Sequence, residues 1–380
     1  MSPTGLTRLS VTLALVAGCG GASAPAPAAP TGPGATASTA APAAASTAAA
    51  GAPSSGGAAT PAAAPAAPVI SKVDLEAASK VPPRVKGKSP FAGVRLYVNE
   101  YSQAAIALQN LRASRPDDAK LIEKIAAQPT AQWVGEWSGD PETTVHNFGK
   151  ATNANGTVPV LVAYNVPNRD CGQYSAGGSK SAEAYHQWIR DFARGAGPFR
   201  IIVVLEPDAL PQLTKCLSPA DQQARLDMIK DAINVLEATP GVSVYLDAGH
   251  AKWVPAAEMA KRLIAAGVEN ADGFSLNVSN YVTTEENIAY GHAISKAIGG
   301  KHFIIDTSRN GNGPTADAQW CNPEGRALGN APTTSTGDPL VDAFFWVKPP
   351  GESDGTCNGG PKAGEFWPEA AAGMAKRAKW

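Results

Sequence analysis

Cysteine and histidine are scarce in this chain, at five residues each among 380, and no apolar run approaches the about 20 residues that a bilayer span needs. No two cysteines have CxxC spacing and the histidines show no ligand-like spacing, which argues against a metal site. No GxGxxG follows an apolar run, and Gly177-Gly178-Ser179-Lys180-Ser181 lacks the Gly-Lys pair of a phosphate loop. A nucleotide is therefore not expected, and no cofactor of any kind is expected. Lys and Arg total 32 against 33 Asp and Glu, a formal net charge of −1, and no basic block occurs. Nucleic acid and anionic membrane surfaces are excluded as expected partners on that balance.

What is present falls into three parts. Residues 1–18 carry one basic residue, Arg8, then the apolar stretch Leu9 to Val16, as in a bacterial export signal. The stretch ends Val16-Ala17-Gly18-Cys19, which looks like a lipoprotein processing site with Cys19 as the lipidated residue. The expected location is thus the cell envelope, by a lipid anchor, or the exterior. Residues 19–72 are almost wholly Ala, Pro, Gly, Ser and Thr, and no charge occurs from Gly20 to Pro68. Such a segment buries too little to offset its ordering entropy and reads as a disordered tether, with a reach on the order of 150 Å when extended. Residues 73–380 have the size of one catalytic domain, with a monomer as the default state.

Within that domain, strand-like runs recur at 93–98, 131–136, 158–165, 199–206, 242–247, 273–277, 302–306 and 343–348. They are β-branched and lack polar alternation, as parallel strands buried on both faces do. Helical patterns lie between them, clearest at 181–194, 219–237, 255–266 and 284–298, with starts marked by Ser218-Pro219 and Thr283-Thr284-Glu285-Glu286. The alternation implies an α/β fold around a parallel sheet, and polar residues at the strand ends favour a barrel. Four aspartates, Asp170, Asp208, Asp247 and Asp354, each follow one of these runs. In a barrel they converge on one mouth, and several carboxylates in one cleft suit acid/base hydrolysis of a glycosidic bond. Besides Cys19 there are Cys171, Cys216, Cys321 and Cys357, which in an exported chain favour two disulfides. Of the three possible pairings, proximity in sequence favours Cys171 with Cys216 and Cys321 with Cys357.

The segments Tyr164 to Gly172, Glu206-Pro207-Asp208 with Cys216 beyond it, Asp247-Ala248-Gly249-His250, Asp306 to Gly313 followed by Trp320-Cys321, and Lys348 to Gly355 together resemble glycoside hydrolase family 6. The resemblance runs from about Pro90 to the C-terminus and implies a distorted, seven-stranded TIM-like (β/α) barrel that hydrolyses β-1,4-glucan with inversion. It implies Asp208 as general acid, and Asp170 as the auxiliary carboxylate that keeps it protonated. Asp354 is the candidate base, and Tyr164 presses on the sugar at the cleavage point. It further implies substrate contacts from Trp133, Asp247, His250, Trp253, Asn277, Trp320, Lys348 and Glu352.

Short segments after Asp354 and Cys171 lead to the expectation of an open cleft and internal cleavage. The alternatives are a cellobiose-releasing exoglucanase of the same family and a non-catalytic glucan-binding surface lipoprotein.

Overall fold

The computed structural model describes residues 80–380. The expected signal, the tether and the lipidation at Cys19 lie outside the described residues. The elements follow in the order α1 (Gln103–Leu111), α2 (Pro116–Ala126), β1 (Gln132–Val134), α3 (Pro141–Ala154), β2 (Val160–Ala163), α4 (Ala182–Ala196), β3 (Ile201–Leu205) and α5 (Leu213–Cys216). The chain continues through α6 (Pro219–Glu237), β4 (Val242–Asp247), α7 (Ala256–Ala265), β5 (Gly273–Leu276), α8 (Thr284–Ala297), β6 (His302–Asp306), β7 (Val341–Phe345) and α9 (Pro368–Lys376). All seven strands are parallel and stand in sequence order, β1 to β7.

The two-residue period of each strand divides its side chains between two cores. Val160, Val162, Ile202, Val204, Tyr245, Ile304, Ala343 and Phe345 form the inner one. Phe91 joins them from the segment before α1, its ring 5.8 Å from that of Tyr245 and 6.4 Å from that of Phe345. Leu161, Ala163, Ile201, Val203, Leu205, Val244, Leu246 and Phe274 face outward onto Tyr185, Ile189 and Phe192 of α4 and Ile229, Ile233 and Leu236 of α6. This is the distorted α/β barrel expected. Among the described residues a single bridge, Thr130 with Trp346, joins the segment before the first strand to the one after the last, and the Ala131 amide donates to the Trp346 carbonyl at 3.1 Å. Helices α1, α2 and α9 cover that seam around Trp346, Ile122, Ile125 and Ala371.

One strand expectation fails. The run 93–98 forms a single parallel bridge, Leu96 with Val158, and no strand. Because β1 spans only Gln132–Val134, the edge of the chain just before β2 is left open, and the Leu96 segment fills that short gap. The helix starts hold: the Ser218 hydroxyl accepts from the Asp221 amide at 3.2 Å, and Thr283 and Glu286 form a capping box. Two disulfides join Cys171 to Cys216 and Cys321 to Cys357.

Candidate active site

A cleft of about 880 Å³ opens at the C-terminal ends of the strands. Asp170, Asp208 and Asp354 line it, with Tyr164, Trp133, Trp320, Lys348 and Glu352. Three of the four strand-end aspartates therefore share one cavity. The fourth, Asp247, is wholly buried beneath it.

Asp208 stands three residues after the end of β3, with φ of 69°, and its backbone amide donates to Asp247 Oδ1 at 3.0 Å. Burial raises the Asp208 carboxyl well above the ordinary carboxylate range, and the negative charges of Asp247, Asp170 and Asp354 push it further; Lys215 opposes them. A carboxyl surrounded in this way keeps its proton. Asp247 also accepts from the Gly249 amide at 3.0 Å and from the Ser275 hydroxyl at 3.3 Å, and burial pushes it up to about 7.

The Asp170 loop is built differently. Both carboxylate oxygens of Asp170 act as acceptors, from Gln212 Nε2 at 3.1 Å, Gln173 Nε2 at 3.2 Å and the Ser175 amide at 2.9 Å. The next residue, Cys171, is bonded to Cys216 at the end of α5, so the disulfide links the Asp170 loop to the segment that follows Asp208. Arg225 of α6 donates to the carbonyls of Pro167 and Ala209, joining the same two segments from behind. Arg169 does not pair with Asp170. It forms a two-point ion pair with Glu136 at 2.6 and 2.9 Å, and its guanidinium lies over the rings of Tyr164 (4.7 Å) and Trp137 (4.9 Å).

Asp354 is held by three donors on a single oxygen. Tyr281 Oη at 3.1 Å, Arg309 at 2.9 Å and the Asn322 amide at 3.0 Å all reach Oδ2, while Oδ1 takes no hydrogen bond among the described residues. The Lys348 ammonium lies over the Trp133 ring at 5.9 Å and 3.7 Å from Glu352, whose other oxygen accepts from Gln103 at 3.0 Å. Burial raises the Glu352 carboxyl, against the pull of Lys348. Trp133 meets Tyr164 edge-on at 5.1 Å on the cleft wall.

Four residues expected to touch substrate stand outside this wall. Asp247 and Asn277 are fully buried, and Asn277 Nδ2 donates to the Asp306 carbonyl at 2.9 Å, a tie between strand ends. His250 and Trp253 follow β4 with ring centroids 5.4 Å apart, and burial lowers the imidazole to about 4, so it is neutral at pH 7. The sequence reading also missed residues that the cleft brings in. Glu136 and Trp137 end the β1 run, and Glu136 carries the same strand-end signal as the aspartates. Arg309 and Tyr281 fix Asp354 from the segments after β6 and β5; Arg309 lies within the Asp306 to Gly313 motif, but nothing local in that motif points to Asp354.

Known proteins share much of this sequence and fold. The chain is 46% identical over 288 residues to "Endoglucanase A" of Cellulomonas fimi, a match covering 75% of this chain and 61% of that protein. It is 43% identical over 300 residues to "Endoglucanase A" of Thermobispora bispora, covering 76% of this chain and 62% of that protein. The match thus spans less than two thirds of either relative. Among solved structures, the endoglucanase Cel6 from Mycobacterium tuberculosis, determined in complex with methyl-cellobiosyl-4-deoxy-4-thio-β-D-cellobioside, superposes with a TM-score of 0.72 at 43% identity. That match covers 76% of this chain and 99% of the solved one. The model of glycosyl hydrolases family 6 matches residues 91–378, nearly the whole described structure, and the chain belongs to that family.

Proposed function

We propose that this chain is an inverting endo-β-1,4-glucanase acting on internal bonds of cellulose and related glucans. The observation that carries the proposal is Asp208: a carboxyl kept protonated by burial and three neighbouring carboxylates, facing a cleft walled by aromatic rings. Asp208 delivers its proton to the glycosidic oxygen as that bond breaks. Asp170, with both oxygens oriented by donors, holds Asp208 in its acid form and faces the positive charge developing on the sugar. Asp354 is the base: Arg309, Tyr281 and Asn322 fix its Oδ2, and Oδ1 is left for the attacking water. Atoms balance, since the water's hydroxyl goes to the anomeric carbon, its proton to Asp354, and the proton of Asp208 to the leaving sugar.

Tyr164 presses on the sugar at the cleavage point and Trp133, edge-on to it, contacts the neighbouring sugar, with Lys348 and Glu352 bonding hydroxyls beside them. Trp320 lines the same cleft, and His250 and Trp253, which follow β4, are assigned to sugar contacts beyond the wall just described. Asp247 and Asn277 order the site from beneath. The loop after Asp354 reaches α9 at Pro368 directly, which supports internal cleavage over release from chain ends. The relatives' names point the same way. Export with a lipid at Cys19, a tether over 19–72 and a monomeric catalytic domain over 73–380 belong to this proposal and rest on the sequence pattern. Among the described residues no helix is long and apolar enough to cross a membrane.

The decisive test is hydrolysis of cellohexaose followed by NMR in the wild type and in Asp208→Ala. The wild type should release the α-anomer first and cut internally. The variant should lose about 10²–10⁴-fold in kcat and still bind the sugar. A first-formed β-anomer would remove inversion, and turnover retained by the variant would remove Asp208 as the acid.

A further inference from the structure

Among the described residues five aromatic side chains are largely exposed, Tyr101, Trp137, Tyr174, Trp320 and Trp380, and the first four all line the cleft. Tyr101 is the most exposed of them, at 81%, and belongs to none of the three cores. A series of contacts places it along the cleft. Tyr164 meets Trp133 at 5.1 Å, the Lys348 ammonium lies over Trp133 at 5.9 Å, and Glu352 is 3.7 Å from Lys348. Gln103 Nε2 then donates to Glu352 at 3.0 Å and to the Gly364 carbonyl at 2.9 Å. Tyr101 stands two residues before Gln103, at the outer end of this series. The turn that carries it is held in place. The Ser102 amide donates to the Asn99 carbonyl at 3.0 Å, the Tyr101 amide donates to Asn99 Oδ1 at 2.9 Å, and the Ser102 hydroxyl caps α1. Asn99 lines the cleft as well, and its Nδ2 makes no hydrogen bond among the described residues.

We propose that Tyr101 and Asn99 form a further glucosyl-binding position, beyond the two sugars assigned to Tyr164 and Trp133 and on the non-reducing side of the cleaved bond. The proposal rests on the endo-β-1,4-glucanase reading above. Tyr164 presses on the sugar whose anomeric carbon the water attacks, and Trp133 takes the next one. Tyr101 lies further along the same line, so the series runs towards the non-reducing end. A glucosyl ring of a β-1,4-glucan presents C–H bonds on its faces and hydroxyls around its edge. An aromatic ring with a free amide donor beside it matches both, the ring by stacking and the Asn99 Nδ2 by a hydrogen bond. Because Tyr101 packs against no core, its ring is available to a ligand, while the turn beneath it fixes where that ligand sits.

The test is the initial cleavage pattern of cellohexaose in water enriched in heavy oxygen, with the full chain. The attacking water's hydroxyl goes to the anomeric carbon, so the label marks the fragment from the non-reducing side. Labelled cellotetraose reports chains that reached past Trp133, and labelled cellobiose reports chains that did not. Their ratio does not depend on turnover rate or on the amount of folded protein, so a poorly folding variant still gives a reading. Tyr101→Ala should lower the ratio of labelled cellotetraose to labelled cellobiose about fivefold, the loss expected from one aromatic contact. Tyr101→Phe should keep the wild-type ratio, since the ring makes the stack. An unchanged or higher ratio in Tyr101→Ala overturns the proposal, even where its overall rate has fallen. An equal fall in Tyr101→Phe also overturns it, because the hydroxyl and not the ring would then hold the sugar. Failure of the glucanase reading is distinguishable, because the wild type would then release no fragments at all.

Discussion

Replacing Asp247 by asparagine removes one charge from beneath Asp208 while keeping the local hydrogen bonds. The new Oδ1 can still accept from the amides of Asp208 and Gly249, which bond the aspartate at 3.0 Å each. The new Nδ2 faces the Ser275 hydroxyl, now 3.3 Å from Oδ2, and a hydroxyl can accept as well as donate. Burial pushes Asp247 up to about 7, so it carries its charge above that pH, and burial with the neighbouring carboxylates holds Asp208 well above the ordinary carboxylate range. After burial, that charge is the largest cause of the raised Asp208 carboxyl. A unit charge about 4 Å away in a medium of effective dielectric near 20 is worth roughly 4 kcal/mol, or about three pH units, and sets the ceiling. Asp170, Asp354 and burial remain, so the expected fall in the Asp208 pKa is about one to two units. An acid that must be protonated to act loses rate as pH rises through its pKa; lowering that pKa brings the loss forward. The alkaline half-point of kcat on cellopentaose should therefore move down by about one to two units in Asp247→Asn. An alkaline limb that stays in place, or moves up, refutes the electrostatic argument.

Two further perturbations separate chemistry from stability. Arg309→Met removes the guanidinium that donates to Asp354 at 2.9 Å and lies 4.5 Å from the Tyr281 ring centroid, freeing Asp354 to turn. On cellohexaose kcat should fall about 10²-fold with KM nearly constant, as expected when a reacting group is misplaced and binding groups are not; equal changes in both would refute the positioning role. Arg84 lies far in sequence from the site and holds Glu237 at 2.6 Å and Asp272 at 2.7 Å in a buried cluster. Arg84→Met leaves two carboxylates together without their cation and should cost about 3–5 kcal/mol in urea unfolding, with activity per folded molecule unchanged. A loss below about 1 kcal/mol would mean that the two acids take up protons at little cost.

The sheet was legible because its signal is local. Seven of the eight strand-like runs are strands, and α6 spans the expected residues, because β-branched runs and capping residues act over a few positions. Helices α1, α2 and α3 were not picked out, although Arg115-Pro116-Asp117-Asp118 and Asp140-Pro141-Glu142 carry helix-start chemistry. The run 93–98 has strand composition and lacks a ladder partner, a fact decided by how short β1 is. The site was legible as a set of motifs, and less so as a set of contacts. Asp247 and Asp208 carry the same strand-end signal, and one lies under the other only because the Asp208 backbone turns its amide down onto Asp247. The Arg309 to Asp354 pair spans 45 positions, and no local pattern announces it.

The backbone at the mouth explains why the chemistry is harder to read than the sheet. Asn168, Asp170, Cys171, Glu206, Asp208, Asn277 and Ser279 all have positive φ without being glycine, and all stand in the segments following β2, β3 and β5. Each such residue costs about 1 kcal/mol or more, so the surroundings must hold it. Here they do so with named bonds. Glu206 accepts from the amides of Asn165 and Val166 at 2.9 and 3.1 Å, Asn277 reaches the Asp306 carbonyl, and the Cys171–Cys216 bridge with Arg225 binds the Asp170 and Asp208 segments together. In a regular strand the pleat alone would decide which way a carboxylate faces. A left-handed residue breaks that alternation and re-aims the side chain, which is what brings Asp170 and Asp208 into one cavity from neighbouring strands. The strain therefore sits where the two carboxylates have to meet, and it is stabilised by contacts made across the fold.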